Sequence, residues 1–288
     1  MGTLKTLDVT SGYKLLTTEE TTLEQYGLII TPSEVSVQLT NGWNWIGYLS
    51  TQTLSVATAL GDLQVASGDR LVGQNSFAIY GDNGWEGNLE MMNPGEGYMY
   101  FRTADATAFN YPDKAVDEPL NANKQTLRDG GVNAPWNYDI HRYPDVTTIV
   151  ARLYTEDKPL DLAAYSVGVF CGDECRGVGQ QVGDKLFITV HGTVADKEDI
   201  VFRAYEHATG ETLPISETIT FLGQMLGDLT SPMELHVQSG ATGISDIPAL
   251  PEDARAIYSP AGKRLRHLQQ GVNIIVNADG TTQKIIVK

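Results

Sequence analysis

Residues 166–190 read SVGVFCGDECRGVGQQVGDKLFITV, and this stretch decides the fold. Residues 166–171, 175–180 and 185–190 are short apolar runs rich in Val, Phe, Ile and Thr, separated by polar turns. Such residues suit a pleated, half-buried surface, and Gly-Asp pairs close the turns between such runs. None of the runs carries a helical period. Working outward, residues 147–153, 199–207, 217–221 and 233–237 have the same character. Seven short strands within residues 136–238 predict an Ig-like β-sandwich.

The rest of the chain agrees in class. Its 288 residues, 41% hydrophobic and 8% aromatic, are enough for two or three domains with their own cores. Thirteen Tyr, four Trp and 29 Gly favour strands and turns over helices. The best helix candidate, residues 55–63, is short, with Val56, Leu60 and Leu63 at helical spacing. The expected class is mainly β, built as tandem β domains. A net charge of −16 argues against a nucleic-acid partner, because phosphate binding needs clustered Lys and Arg. No apolar run reaches the roughly 18 residues of a membrane-span candidate.

Residues 4–26 match residues 89–111 at a constant offset of 85. Leu4/Leu89, Gly12/Gly97, Tyr13/Tyr98, Thr18/Thr103, Thr22/Thr107 and Tyr26/Tyr111 are identical. Self-similarity at a fixed period signals repeated units. The two copies should share local structure, with Gly12-Tyr13 and Gly97-Tyr98 each starting a strand whose tyrosine packs on a core. Since the second copy follows an aromatic stretch and the first does not, the chain is expected to begin inside a repeat, with upstream domains in the natural protein. No charged n-region or apolar h-region follows Met1.

Between the copies lie LTNGWNWIGYLS (residues 39–50) and GDRLVGQNSFAIYGDNGWEGNLEMMNPGEGYMYF (residues 68–101). Trp43 and Trp45 share a face at strand period and are expected in the core. Asn41-Gly42, Asp82-Asn83-Gly84 and Asn93-Pro94-Gly95 are turn signals. The elements at residues 42–48, 68–80, 84–89 and 94–98 resemble a repeat of secreted and surface proteins of Bacteroidetes. That family implies no catalytic residues for this chain.

Residues 114–135, rich in Asp, Asn, Pro and Gly, read as a linker between a repeat module at 1–113 and the sandwich. In the sandwich, residues 167–179, 186–193 and 201–211 resemble a second extracellular module of Bacteroidetes, with Glu174, Cys175, Arg176 and Gly177 in its most distinctive element. Cys171 departs from that pattern. Residues 239–253 read as another linker. The tail from Ala254 on carries six basic residues and one acid, against 14 basic and 35 acidic before it. It reads as three or four strands with a hairpin at Asp279-Gly280. Tyr258, Gly262, Lys263, Gly271, Val272 and residues 284–288 resemble the small C-terminal domains of exported Bacteroidetes proteins, including type IX sorting domains, although Asn273 stands where Tyr is usual. The resemblance implies an extracellular or outer-surface location.

The common motifs for zinc proteases, serine hydrolases, P-loops and dinucleotide folds are absent from the sequence. The five histidines lack close metal-ligand spacing, and the cysteines form C-x3-C, so no metal or cofactor is expected. Asp82-Asn83-Gly84 lacks the remaining ligands of a calcium loop and reads as a turn. Cys171 and Cys175 flank a loop at residues 172–174 and could face each other closely enough for a disulfide. Arg176 is expected to be structural, its guanidinium binding carboxylates or turn carbonyls. A non-catalytic, adhesin-like protein fits best, binding a glycan or host polymer. A structural stalk and the accessory part of a larger secreted enzyme are the alternatives. Trp85, in a Gly-rich turn, and Trp136 with Tyr138, opening a domain, are the candidate ligand-binding aromatics.

Overall fold

A computed structural model of the chain describes residues 6–17, 19–22, 24, 26–113, 134–238, 254–260, 262, 264–265, 271–277 and 281–287. Residues 114–133 of the linker expected at 114–135, the linker expected at 239–253 and the hairpin turn at Asp279-Gly280 lie outside the described residues. The chain is mainly β and divides into two compact units, Met1–Val237 and Gln238–Lys288.

The first unit opens with an aromatic module. Its five-stranded antiparallel sheet runs in the order Gly42–Gly47, Gly97–Arg102, Arg70–Val72, Phe77–Gly81, Gly84–Gly87. Two short pairs close it, Ser36–Leu39 with Thr107–Asn110 and Leu54–Ser55 with Met91–Met92. The helix Val56–Ala59 is one turn long, shorter than the apolar spacing predicts. Its N-terminus is capped by the Ser55 hydroxyl, which accepts from the Thr58 amide. Leu39, Ile46, Leu71, Tyr98, Tyr100 and Tyr111 are among the residues filling the core. Asp82-Asn83 forms the tip of a hairpin, between paired Gly81 and Gly84.

A carboxylate organises this sheet. Asp69 is fully buried and accepts from the Tyr100 hydroxyl at 2.6 Å, the Thr103 amide and hydroxyl at 2.7 Å each, and the Ala66 amide at 3.1 Å. Arg102 Nη1 lies 3.4 Å away. A buried charge is tolerable only when so fully bonded. These bonds fix the turn at residues 66–69 against the far end of Gly97–Arg102.

The second module is a sandwich of two sheets. One has the order Lys158–Pro159, Asp145–Thr155, Lys185–Gly192, Gln180–Val182, with Met225–Leu226 and Met233–His236 running parallel to Asp145–Thr155. The other has the order Glu174–Val178, Tyr165–Cys171, Asp199–Glu206, Thr212–Thr220. Ile149, Leu153, Val169, Ile188, Phe202 and Leu235 fill the space between them. The strand Asp145–Thr155 is apolar on both faces: Ile149, Ala151 and Leu153 point into the sandwich, while Val146 and Val150 face the aromatic module. A strand buried on both sides loses the polar alternation of a solvent-facing one.

The hairpin of residues 165–178 corrects the expected disulfide. Its turn holds two residues, Gly172 and Asp173, because Cys171 pairs with Glu174. Cys175 therefore sits opposite Phe170, and the pairing then jumps to Val169 opposite Gly177. Arg176 is the extra residue of this bulge, a device that re-aims a side chain. With neighbouring residues on opposite faces, Cys171 packs on the sandwich interior and Cys175 on Phe170 and Trp136. Both thiols are free, and burial is the first cause raising the pKa of each.

The repeat is preserved at its turns only. The Ser11 amide donates to the Asp8 carbonyl at 3.1 Å, and the equivalent Glu96 amide to the Asn93 carbonyl at 3.2 Å. The Asp8 amide donates to the Tyr13 hydroxyl at 2.7 Å, and the Asn93 amide to the Tyr98 hydroxyl at 2.9 Å. Gly97 then starts a strand, whereas Gly12 does not. The two turns meet at glycines: a Cβ on Gly97 would come within 3.0 Å of Gly12 Cα, and one on Gly47 within 2.6 Å of the Val9 carbonyl.

The second unit is a four-stranded antiparallel sheet in the order Arg264–Leu265, Ala254–Tyr258, Gly271–Asn277, Thr282–Val287. Ile257, Asn273 and Ile275 are buried in it.

Protein purified without reductant and unfolded in denaturant should titrate with two thiols per chain, because the cysteines face opposite sides of their sheet. Recovery of no thiols would show the disulfide.

Candidate binding cleft

The two modules of the first unit meet along an apolar joint. Val72, Phe77 and Ile79 of the aromatic module pack on Val150 and Phe187 of the sandwich. The Phe77 and Phe187 ring centroids are 5.2 Å apart. A Cβ on Gly81 would come within 2.6 Å of Leu229 Cδ1, so the missing side chain permits close approach there. Polar bonds also cross the joint: Arg70 Nη2 donates to the Gly227 carbonyl at 3.2 Å, and Asn88 Nδ2 to Gln180 Oε1 at 3.2 Å.

Beside the apolar contact sits a buried polar lock. His191 Nε2 lies 3.1 Å from Asn75 Oδ1. Asn75 Nδ2 donates to the Tyr138 hydroxyl at 3.0 Å, and that hydroxyl lies 3.2 Å from Asn75 Oδ1. The Tyr138 ring tilts over His191 with centroids 6.0 Å apart. With the amide oxygen as acceptor, His191 Nε2 carries the proton in this arrangement. Burial pushes the His191 pKa down to about 4, helped by nearby His141 and opposed by Asp139.

Above the lock the modules diverge into a cleft of about 1640 Å³. Lys14, Leu15 and Trp45 form one wall, and His141, Arg142 and Tyr143 another. Gln74, Gln180 and Gln181 add amides. Gln74 Nε2 lies 2.7 Å from His141 Nδ1, joining the modules again at the surface. Ser166 and His207 also line the cleft. His207 Nδ1 is 3.1 Å from the Ala163 carbonyl, which requires a proton on that nitrogen. Its Nε2 lies 2.9 Å from the Ser166 hydroxyl.

The aromatic candidates chosen from sequence turn out differently. Trp85 is half-buried, edge-on to Tyr80 at 5.4 Å and to Tyr100 at 6.2 Å. Trp136 packs on Phe170 at 5.3 Å and on Tyr205 at 6.2 Å, over Gly168. Tyr138 belongs to the lock. None of these three lines the cleft. Trp43 and Trp45 do share a face, but that face is open: they are 43% and 42% exposed. Trp43 packs edge-on to Phe101 at 5.1 Å. Trp45 lies in the cleft wall, with Lys14 Nζ 5.0 Å from its ring centre. Lys14 also donates to the Pro144 carbonyl, tethering residues 13–16 across the cleft mouth.

Arg176 is buried near one end of the sandwich. Its Nη2 is 3.2 Å from Glu198, its Nε 3.2 Å from Glu174 in a poorly aligned ion pair, and its guanidinium lies 3.7 Å from the Tyr143 ring centre. The Tyr143 hydroxyl donates to Glu174 Oε2 at 2.8 Å. This cluster holds one cleft wall to the bulged hairpin.

Among the described residues, no group of three or more His, Cys, Asp or Glu is placed to hold a metal ion. The cleft offers instead amides, imidazoles and an open indole, beside two cations, Lys14 and Arg142, and two carboxylates, Glu90 and Glu96. Sequence reading missed Gln74, His141, Gln180 and Gln181, which no short motif connects. No protein-family model, curated protein or solved structure matches the chain.

The lock makes stability depend on acid. A His that is neutral when folded, with its pKa lowered from 6.5 to about 4, contributes stability above pH 6.5 that is lost as pH falls through 4. At ~1.4 kcal/mol per unit, the loss attributable to His191 is roughly 3 kcal/mol. Denaturant unfolding of wild type and His191→Gln at intervals from pH 7 to 4 should show the stability gap between them shrinking or reversing in that window. A gap that stays constant with pH would remove His191 as the titrating group.

Proposed function

We propose that this chain is a non-catalytic surface protein that binds a neutral glycan chain in the cleft between its two β modules. The observation that carries the reading is the combination in one cleft of an open indole, Trp45, with the amides of Gln74, Gln180 and Gln181. Sugar rings offer C–H faces that stack on indole and hydroxyls that bond amides. The volume, about 1640 Å³, exceeds the 300–1,000 Å³ typical of small-molecule sites and suits several sugar units. The net charge of −16 disfavours sulfated or uronic polymers. Trp43 continues the open aromatic face on the same strand, which favours binding over a purely structural stalk, where each Trp would be buried. An extracellular or outer-surface location rests on the likeness of the repeat, the hairpin of residues 167–179 and the tail to Bacteroidetes exported modules.

The test is a glycan array followed by calorimetry on the best neutral oligosaccharide. Trp45→Ala and Gln180→Ala should each weaken binding by about tenfold, the equivalent of ~1.4 kcal/mol. Trp43→Ala should weaken it less, and a conservative Trp85→Phe not at all. Absence of wild-type binding across neutral polysaccharides, with the protein shown to be folded, would leave the stalk.

A further inference from the structure

The first repeat copy exposes what the second copy buries. Tyr26 is 88% exposed and its equivalent Tyr111 fully buried; Leu15 is 66% exposed and its equivalent Tyr100 fully buried. Leu7 and Tyr13 are likewise exposed where Met92 and Tyr98 are buried. In the second copy, Phe109 covers Tyr111 from within the copy, at 5.0 Å between ring centroids, and further covering groups come from residues 36–88. Leu54 pairs with Met92, Leu71 pairs with Tyr100, and Tyr48 packs edge-on to Tyr111 at 5.2 Å. Gly97–Arg102 is hydrogen-bonded on both sides, to Gly42–Gly47 and Arg70–Val72. Residues 13–17 have no strand neighbour. Yet the turn before them is already in the form that precedes the strand in the second copy, with both of its hydrogen bonds repeated.

We infer that residues 6–26 are the closing segment of a second repeat module, and that their apolar face docks a polypeptide carrying the opening strands of the same repeat. Several features make this occupant specific. Leu7, Tyr13 and Leu15 fall at positions that lie in strands in the second copy, and Tyr26 at the position of Tyr111, which follows directly on the strand Thr107–Asn110. The backbone of residues 13–17 is paired in no strand and can accept an added one, a mode in which main-chain bonds give affinity and alternate side chains give register. The turn, pinned at Gly12, Gly47 and Gly97, presents the segment next to the existing module, so the docked strands would build a tandem of repeats. Stacked units of this kind bury surfaces that one unit leaves open.

The test uses the chain's own sequence. Residues 27–88 are duplicated and joined directly before Leu4, which preserves the offset of 85 between equivalent positions. Amide hydrogen exchange is compared over residues 13–26 in the 288-residue and extended chains. In the extended chain those amides should slow by at least about 100-fold, as strand incorporation requires. Tyr26→Ala should undo that protection in the extended chain, and should leave the melting temperature of the 288-residue chain unchanged. Amides of residues 13–26 that exchange equally fast in both chains overturn the inference, whether or not the duplicated strands are otherwise folded. Dimerisation of the 288-residue chain that Tyr26→Ala abolishes overturns it too, by making a second copy the occupant.

Discussion

The contact of Phe77 with Phe187 is the constraint on which the first unit depends. It joins a strand of the aromatic module to the outer face of a sandwich sheet, where Val150 is buried beside it. Without that contact, the second apolar face of Asp145–Thr155 would be solvent-exposed, and burial of each such side chain is worth roughly 1.5–3 kcal/mol. The polar groups at its border follow from it. Asn75 and His191 are desolvated by the same closure and bond each other, while half-buried Tyr138 bonds Asn75 at their border. The cleft is the space left where the two modules curve apart beyond this joint.

Within the aromatic module, Asp69 plays the matching role. Its carboxylate collects donors from residues 66, 100 and 103 and faces Arg102. The Gly68-Asp69 turn is thereby fixed to the strand that carries Tyr98 and Tyr100. That strand is central to the sheet, and its partner Gly42–Gly47 presents Trp45 to the cleft. A carboxylate with this many charge-assisted bonds is costly to disturb, so the placement of the open indole rests on a buried acid far from the ligand surface.

The strands were readable wherever apolar residues alternate or run between turn residues, as in residues 166–190. Residues 147–153 were readable as a strand, but not as one buried on both faces, because periodicity does not say what lies on the far side. The same limit applies to Trp43 and Trp45. Parity put them on one face, and tertiary packing decided that Ile46 faces the core and the indoles face outward. Cys171 and Cys175 were misjudged by a single residue: a two-residue turn and the bulge at Arg176 replace the three-residue loop and send the thiols apart. The cleft itself was illegible. Its groups come from residues as distant as 14, 45, 74, 141 and 180, and only the joint between modules gathers them.

The aromatic module and the sandwich form one compact unit, with the cleft at their seam, and should open together. Native-state hydrogen exchange in increasing denaturant tests it most directly. Amides of Phe77–Gly81 and of Lys185–Gly192 should converge on one opening reaction, with the same free energy and the same denaturant dependence. Two separate openings of different free energy, one for each module, would contradict the account.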